Sequence, residues 1–340
     1  MALTVISAKY PPHIDPTKTP LAYGDRALPR LNRELNDENL MTRQRAVMSL
    51  CDHLHDPEHI AEALKVGIAE SLKKLLTDAD ITVRQKSTEC LYVIGCHAIG
   101  RDAFIEHNII PPVSKLFDDK VDVARKNAHQ AIEMISETPL GAEGIVKADL
   151  IGTLVMKLKS ELEEIKKLIL DTLHFCMRVD TEKALKADAM QVFTSLLSHK
   201  DPAIRACAAR DIMDLSAPLD GKNKAVEVNA VPALVGLLED KSPDVKANAA
   251  GALMIITITT KGKYTALDAK AIPPLVSLVD DPTSEVRANS LKALTCLSEA
   301  PEGRSTLLQH VDKIKKHLTD EIPAVARAAQ IAVRVIEWKP

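Results

Sequence analysis

The sequence predicts an all-α fold, a right-handed solenoid of about eight tandem repeats of roughly 41 residues. Three observations predict it. Aromatic residues make up 3% of the chain and glycine only 12 of its 340 residues, too few for sandwiches, propellers or glycine-rich nucleotide folds, which need β-favouring rings and glycine turns. Basic residues recur at Arg43, Arg84, Arg125, Lys166, Arg205, Lys246, Arg287 and Arg327, at intervals of 41, 41, 41, 39, 41, 41 and 40. Helix-starting residues keep the same phase.

Six residues before these anchors stand Asp37, Asp78, Asp119, Asp240, Asp281 and Glu321. Four before them stand Asn39, Asp80, Asp201, Ser242 and Thr283, whose side-chain oxygens can accept from the free N–H groups of a helix start. In the fourth repeat the cap is expected at Ser160, with Glu163 at capping-box spacing. Each repeat therefore starts a long third helix near its anchor. A middle helix precedes it, opened by proline where a missing N–H does no harm, as in Ile110-Pro111-Pro112, Val231-Pro232 and Ile272-Pro273-Pro274. Apolar stretches follow these prolines: Leu234, Val235, Leu237 and Leu238 match Leu275, Val276, Leu278 and Val279. A shorter helix comes first in each unit, as at residues 101–107 and 304–310. Ala206, Ala208 and Ala209, and Ala247, Ala249, Ala250 and Ala252, give the third helices a small-residue stripe that lets neighbours approach to about 8–10 Å. A lone repeat would leave its apolar face in water; stacking recovers roughly 25 cal/mol per Å² of buried apolar surface.

The repeats are placed at about 24–66, 67–107, 108–148, 149–188, 189–229, 230–270, 271–310 and 311–340. Residues 1–23 carry Pro11, Pro12, Pro16 and Pro20 and are expected to form an extended leader. With 44 basic against 47 acidic residues, net charge draws the chain to no nucleic acid. There is no signal-peptide pattern and no run of 18 apolar residues, so no membrane association is expected and the protein should stay in the cytoplasm. Six cysteines without C-x-x-C pairs read as reduced, mostly buried thiols.

Residues 271–281, with Val286 to Leu294 and Leu297-Ser298, resemble the armadillo-repeat consensus, and Val231 to Leu253 match it nearly as well. The acidic residue six before a Val-Arg or Val-Lys pair is also similar to the ladder of HEAT repeats. Over the whole chain, the order of units, the segment Tyr10-Pro11-Pro12-His13-Ile14-Asp15-Pro16-Thr17 and the ending Val335-Ile336-Glu337-Trp338 resemble armadillo-repeat subunits of ciliary and flagellar radial spokes. That resemblance implies a non-enzymatic scaffold in the axoneme, with other spoke subunits as partners in a large complex and a role in ciliary and sperm motility.

Armadillo third helices line a concave groove, with one inward row per helix at spacing four. Here the rows are Gln44/Met48/Asp52, Gln85/Glu89/Val93, Lys126/Gln130/Met134, Lys167/Asp171/Phe175, Ala206/Arg210/Asp214, Ala247/Gly251/Ile255 and Ala288/Lys292/Cys296. Nuclear-import adaptors carry Trp at the middle position and Asn at the last, and these rows have neither. The rows also lack a continuous Lys/Arg track for an acidic tail. The expected surface suits a helix or extended segment of another protein, held by Lys126, Gln130, Met134, Lys167, Asp171, Phe175, Arg210, Asp214, Ile255 and Lys292. No catalytic, cofactor, metal or small-molecule site is assigned: the chain has no phosphate loop, no G-x-S-x-G and no H-E-x-x-H. His53, His55 and His59 surround Asp56-Pro57, where the proline marks a loop rather than one ligand-bearing helix face.

Overall fold

The computed structural model describes residues 27–338; the proline-rich segment at 1–23 lies outside them. Among the described residues all regular elements are helices. Eight long helices carry the anchors: α1 (Leu40–His53), α2 (Ile81–Gly95), α3 (Asp122–Ser136), α4 (Glu163–Met177), α5 (Pro202–Leu215), α6 (Pro243–Ile256), α7 (Ser284–Leu297) and α8 (Pro323–Ile336). Before α6, for example, come a first helix at Leu219–Glu227 and a middle helix at Ala230–Leu237. The chain divides into two compact units at Ala148–Asp149. Within the first, α1 packs on α2 and α2 on α3; within the second, α4 to α8 pack each on the next.

Two hydrogen-bonded ladders tie successive repeats. In the first, the anchor reaches the aspartate that stands two residues before the next long helix's N-cap. Arg43 pairs with Asp78 at 2.8 Å, Arg84 with Asp119 at 2.7 Å, Arg205 with Asp240 at 2.7 Å and Arg287 with Asp320 at 2.9 Å; Lys246 pairs with Asp281. Each arginine also donates to two carbonyls of its own preceding loop, Arg84 to Asp78 and Ala79, for example. Each aspartate accepts a loop N–H besides, as Asp119 does from Val121 at 2.9 Å. A planar fork suits these several acceptors; Lys246 keeps the ion pair. In the second ladder an asparagine two residues after the anchor donates to a backbone carbonyl of the preceding long helix: Asn127 to Gln85, Asn248 to Ala206 and Asn289 to Ala247.

Two expectations need correction. Asp320, not Glu321, completes the last rung, because Arg327 is the fifth residue of α8 whereas the other anchors are the fourth of their helices. Ser160 does not cap α4: the N-cap is Leu162, without a side-chain bond, and Ser160 stands two residues before it, in the aspartate's place. Asn39, Asp80 and Asp201 do accept N–H groups as caps, while Ser242 and Thr283 hold the cap position without a side-chain bond.

A third periodic feature is a left-handed residue seventeen before the anchor, at the start of the middle helix: Gly67, Asn108, Asp149, Asp188, Asn229 and Lys270 have φ between 50° and 83°. Glycine, asparagine and aspartate tolerate this conformation; lysine does so at a cost. Glycine is needed for a different reason at Gly141 and Gly221. A Cβ there would lie 1.9 Å and 1.8 Å from the carbonyl oxygens of Ile135 and Leu215, so the first helix can pack this closely only without a side chain.

The core is aliphatic, with the alanine stripes of α5 and α6 buried and Phe104, Phe117 and Phe193 its largest side chains. Cys51, Cys90 and Cys176 are buried, Cys207 and Cys296 partly so, and Cys96 is exposed; all are free thiols. No helix among the described residues is long and apolar enough to cross a membrane.

Candidate functional site

The long helices present one face that their neighbours do not cover. In the second unit Ala206, Ala247 and Ala288, which open three of the expected rows, are buried, and so is Gly251. The adjacent residues Cys207, Asn248 and Asn289 are partly exposed instead. At Ala206 and Ala247 the asparagine ladder holds this first position against the next helix, through Asn248 and Asn289.

This face holds two distinct regions in the second unit. Across α6, α7 and α8, a pocket of about 460 Å³ is lined by Met254, Ile255, Ile258, Thr295, Cys296 and Ile331, with Lys292 and Arg327 at its margin. Ile258 is 55% exposed and Ile331 38%, so an apolar surface stands open to solvent.

Between α4 and α5 the surface is charged. Neither ladder has its usual residues here: the anchor is Lys166, the aspartate is replaced by His199 and the asparagine by Cys207. His199 Nδ1 still accepts the Asp201 N–H at 3.1 Å, but it offers no carboxylate for a rung. In their place, Arg210 donates to Asp171 at 2.9 Å and, through two nitrogens, to Asp211 Oδ1 at 3.0 Å. His174 Nδ1 lies 2.5 Å from Asp214 Oδ2, and its Nε2 lies 2.9 Å from Arg178. Because a guanidinium only donates, Nε2 is the acceptor and Nδ1 carries the proton. Arg178 also lies over the Phe175 ring, 5.6 Å from its centroid, and the His174 ring meets Phe175 edge-on. Asp211 is wholly buried, and burial pushes its carboxyl well above the usual carboxylate range against the pull of Arg210. Burial likewise pushes the Cys207 thiol up to about 12.

Residues 223–295 match the family model of HEAT repeats. An engineered protein solved by the Northeast Structural Genomics Consortium superposes with a TM-score of 0.86 at 23% identity, over 92% of this chain and 79% of that one. A designed armadillo repeat protein in complex with a (KR)4 peptide superposes at 0.62 and 20% identity, over 67% of this chain and 99% of that one. A computationally designed armadillo repeat protein for modular peptide recognition gives 0.63 and 25%, over 66% and 98%. The fold is that of armadillo and HEAT repeats.

The structure brings the expected residues Asp171, Phe175, Arg210 and Asp214 into one cluster, and Ile255 and Lys292 to one pocket. Lys167 is exposed beside the cluster, while Lys126, Gln130 and Met134 are partly exposed on α3 of the first unit. His174, Arg178 and Asp211 were not in the expected rows, nor were Met254, Ile258 and Ile331. A signal for Asp211 was present. Six residues after the anchor, five of the other seven repeats place Cys90, Ala131, Thr172, Ala252 and Ala293, all fully buried, and the remaining two place the partly exposed Ser49 and Val333, so a buried carboxylate in that register breaks the pattern. The histidines at 53, 55 and 59 turn out to be structural: the rings of His53 and His59 stack 3.7 Å apart, and His55 and His59 bond the carbonyls of Cys51 and His53.

Proposed function

We propose that this protein is a non-enzymatic binding scaffold whose long-helix face holds a helical or extended segment of a partner protein. The observation that carries the reading is the open apolar pocket of α6 to α8 in the same unit as a charged cluster, since apolar side chains can anchor such a segment and charges fix its register. Similarity to designed armadillo proteins, one in complex with a peptide and one made for peptide recognition, supports the same kind of occupant. The finer proposal is a structural subunit of the axonemal radial spoke, with other spoke proteins as partners and a role in ciliary and flagellar motility. Its support is the whole-chain resemblance to the radial spoke head protein 14 homologue, in the segment at 10–17, the order of units and the ending at 335–338.

Crosslinking mass spectrometry on isolated, salt-washed axonemes tests both parts. The expected result is retention in the washed axoneme, with crosslinks from Lys292 and Lys167 to spoke proteins. Recovery only in the free cytosol would defeat the spoke assignment and favour a soluble adaptor with a cargo or signalling partner. Binding unchanged by Ile255→Glu together with Ile331→Glu would remove the pocket from the scaffold reading.

A further inference from the structure

We propose that His174, Asp211 and Asp214 bind one divalent metal ion, and that the donor set suits zinc. One ligand atom from each of the three lies within 4.8 Å of the other two. Asp211 and Asp214 are three apart on α5, which puts both on one face of that helix, and His174 meets them from α4. One imidazole nitrogen and two carboxylate oxygens form a set that zinc accepts, with a fourth position left for water.

The buried partner of this set points to the ligand. Asp211 has no solvent exposure, its Oδ1 takes both bonds from Arg210, and its Oδ2 is buried without a hydrogen bond from any described residue. An oxygen so placed is costly unless something positive meets it. The cost is local to this repeat, because every other fully buried residue six after an anchor is small and neutral. Charge agrees. Asp171, Asp211 and Asp214 bring three carboxyl groups around the single guanidinium that bonds Asp171 and Asp211, so a divalent ion would favour the ionised form of the buried Asp211 that burial disfavours. Access is available from the His174 and Asp214 side, whose side chains are 13% and 19% exposed.

Binding through His174 Nδ1 requires that nitrogen's proton to leave; passed through water to Nε2, it makes Nε2 a donor. Nε2 now accepts from Arg178, so the exposed Arg178 must swing into solvent when the metal enters. Arg178 thus opposes the metal by charge and by hydrogen bonding, and its removal should tighten binding.

The test is titration of zinc chloride into full-length protein that has been stripped with EDTA, desalted and kept reduced, followed by calorimetry and thermal melting. The expected result is one equivalent bound with a raised melting temperature. Affinity should fall at least tenfold in His174→Gln and in Asp214→Asn, stay the same in Cys96→Ser, and rise in Arg178→Gln. Cobalt(II) substituted into the unaltered protein should give the visible bands of a four- or five-coordinate site, a readout that needs no variant to fold. Absence of zinc binding in the unaltered protein would overturn the proposal. So would stoichiometric binding that survives both His174→Gln and Asp214→Asn, since the ion would then sit elsewhere. The proposal stands or falls apart from the spoke assignment.

Discussion

Removing Arg210 should destabilise the protein in a way that depends on pH and on one other residue. In Arg210→Ala the fully buried Asp211 loses both of its hydrogen bonds and its ion-pair partner among the described residues. Stranding a buried charge costs about 3–5 kcal/mol. A second route limits the loss, because the carboxyl can take up a proton instead. From an unfolded pKa near 3.9, doing so at pH 7 costs about 4 kcal/mol, and about 1.5 kcal/mol at pH 5. The expected destabilisation is therefore at most about 4 kcal/mol at pH 7 and at most about 1.5 kcal/mol at pH 5, reduced by the part that burial of Asp211 already costs the unaltered protein. The sign follows from a folded carboxyl that titrates above the unfolded one: its protonated form favours folding, so the variant recovers as pH falls. Asp211→Asn in the same background should restore most of the loss, while Asp211→Asn alone, with Arg210 still bonded to Asp171, should change stability by no more than about 1 kcal/mol. Urea denaturation followed by circular dichroism, with EDTA present so that metal plays no part, reads all four proteins at both pH values. Additive effects of the two substitutions, or a loss in Arg210→Ala that is the same at pH 7 and pH 5, would refute the reasoning.

Three further perturbations probe the repeat frame. Gly141→Ala should cost about 3 kcal/mol, because its Cβ would sit 1.9 Å from the Ile135 oxygen, whereas Gly236→Ala, with open space around it, should gain about 0.5 kcal/mol; thermal melting distinguishes the two. Lys270→Asn should raise stability by about 0.5–1 kcal/mol, since Lys270 holds the left-handed conformation, φ 59°, at the position where Asn108 and Asn229 stand in other repeats. The Arg287 hydrogen bond holds Asp320 at about 2, so its rung contributes fully above about pH 4 and fades as pH falls toward 2. Asp320→Asn should be less stable than the unaltered protein at pH 7, and the difference should close by about pH 2; a constant difference across that range would show that the rung's charge is not the source.

Much of the frame could be read from the sequence because it is built from residues at fixed offsets. The anchors and the aspartates of the first ladder could be found by subtraction alone, before any partner was known. Their pairing could not, because an aspartate six residues before one anchor bonds the anchor of the previous repeat, some 35 positions away, as Asp119 bonds Arg84. The error at Glu321 has the same origin. The structural rule counts from the helix N-cap, and the anchor is a proxy that slips by one in α8. The left-handed positions were missed because Gly67, Asn108, Asp149, Asp188, Asn229 and Lys270 share a backbone requirement and not a residue type. The face was only half legible. A spacing of four selects one row per helix, but the partly exposed surface includes Met254 beside Ile255 and His174 beside Phe175, so each helix contributes a strip about two residues wide. Asp211 was invisible to that method because it looks inward.

At the junction between α4 and α5 both ladders lack their usual residues and a buried carboxylate appears, and repeat architecture explains how the fold tolerates the combination. In a stack of repeats, stability is close to a sum of intrinsic and nearest-neighbour contributions, so an expensive junction weakens itself without removing the contacts of others. Rungs such as Arg205 to Asp240 and Lys246 to Asp281 hold the repeats that follow, and α5 is therefore fixed on one side by regular contacts while its other side is released from them. Lys166 and His199 in place of an arginine and an aspartate relinquish a rung; Cys207 in place of an asparagine relinquishes a backbone tie. Had loss of regularity been the only change, small neutral residues would have sufficed, as they do at Ala131 and Ala252. Asp171, His174, Arg210, Asp211 and Asp214 instead replace two simple ties with a network in which a buried oxygen of Asp211 has no partner among the described residues, a costly arrangement that the proposed metal ion would relieve.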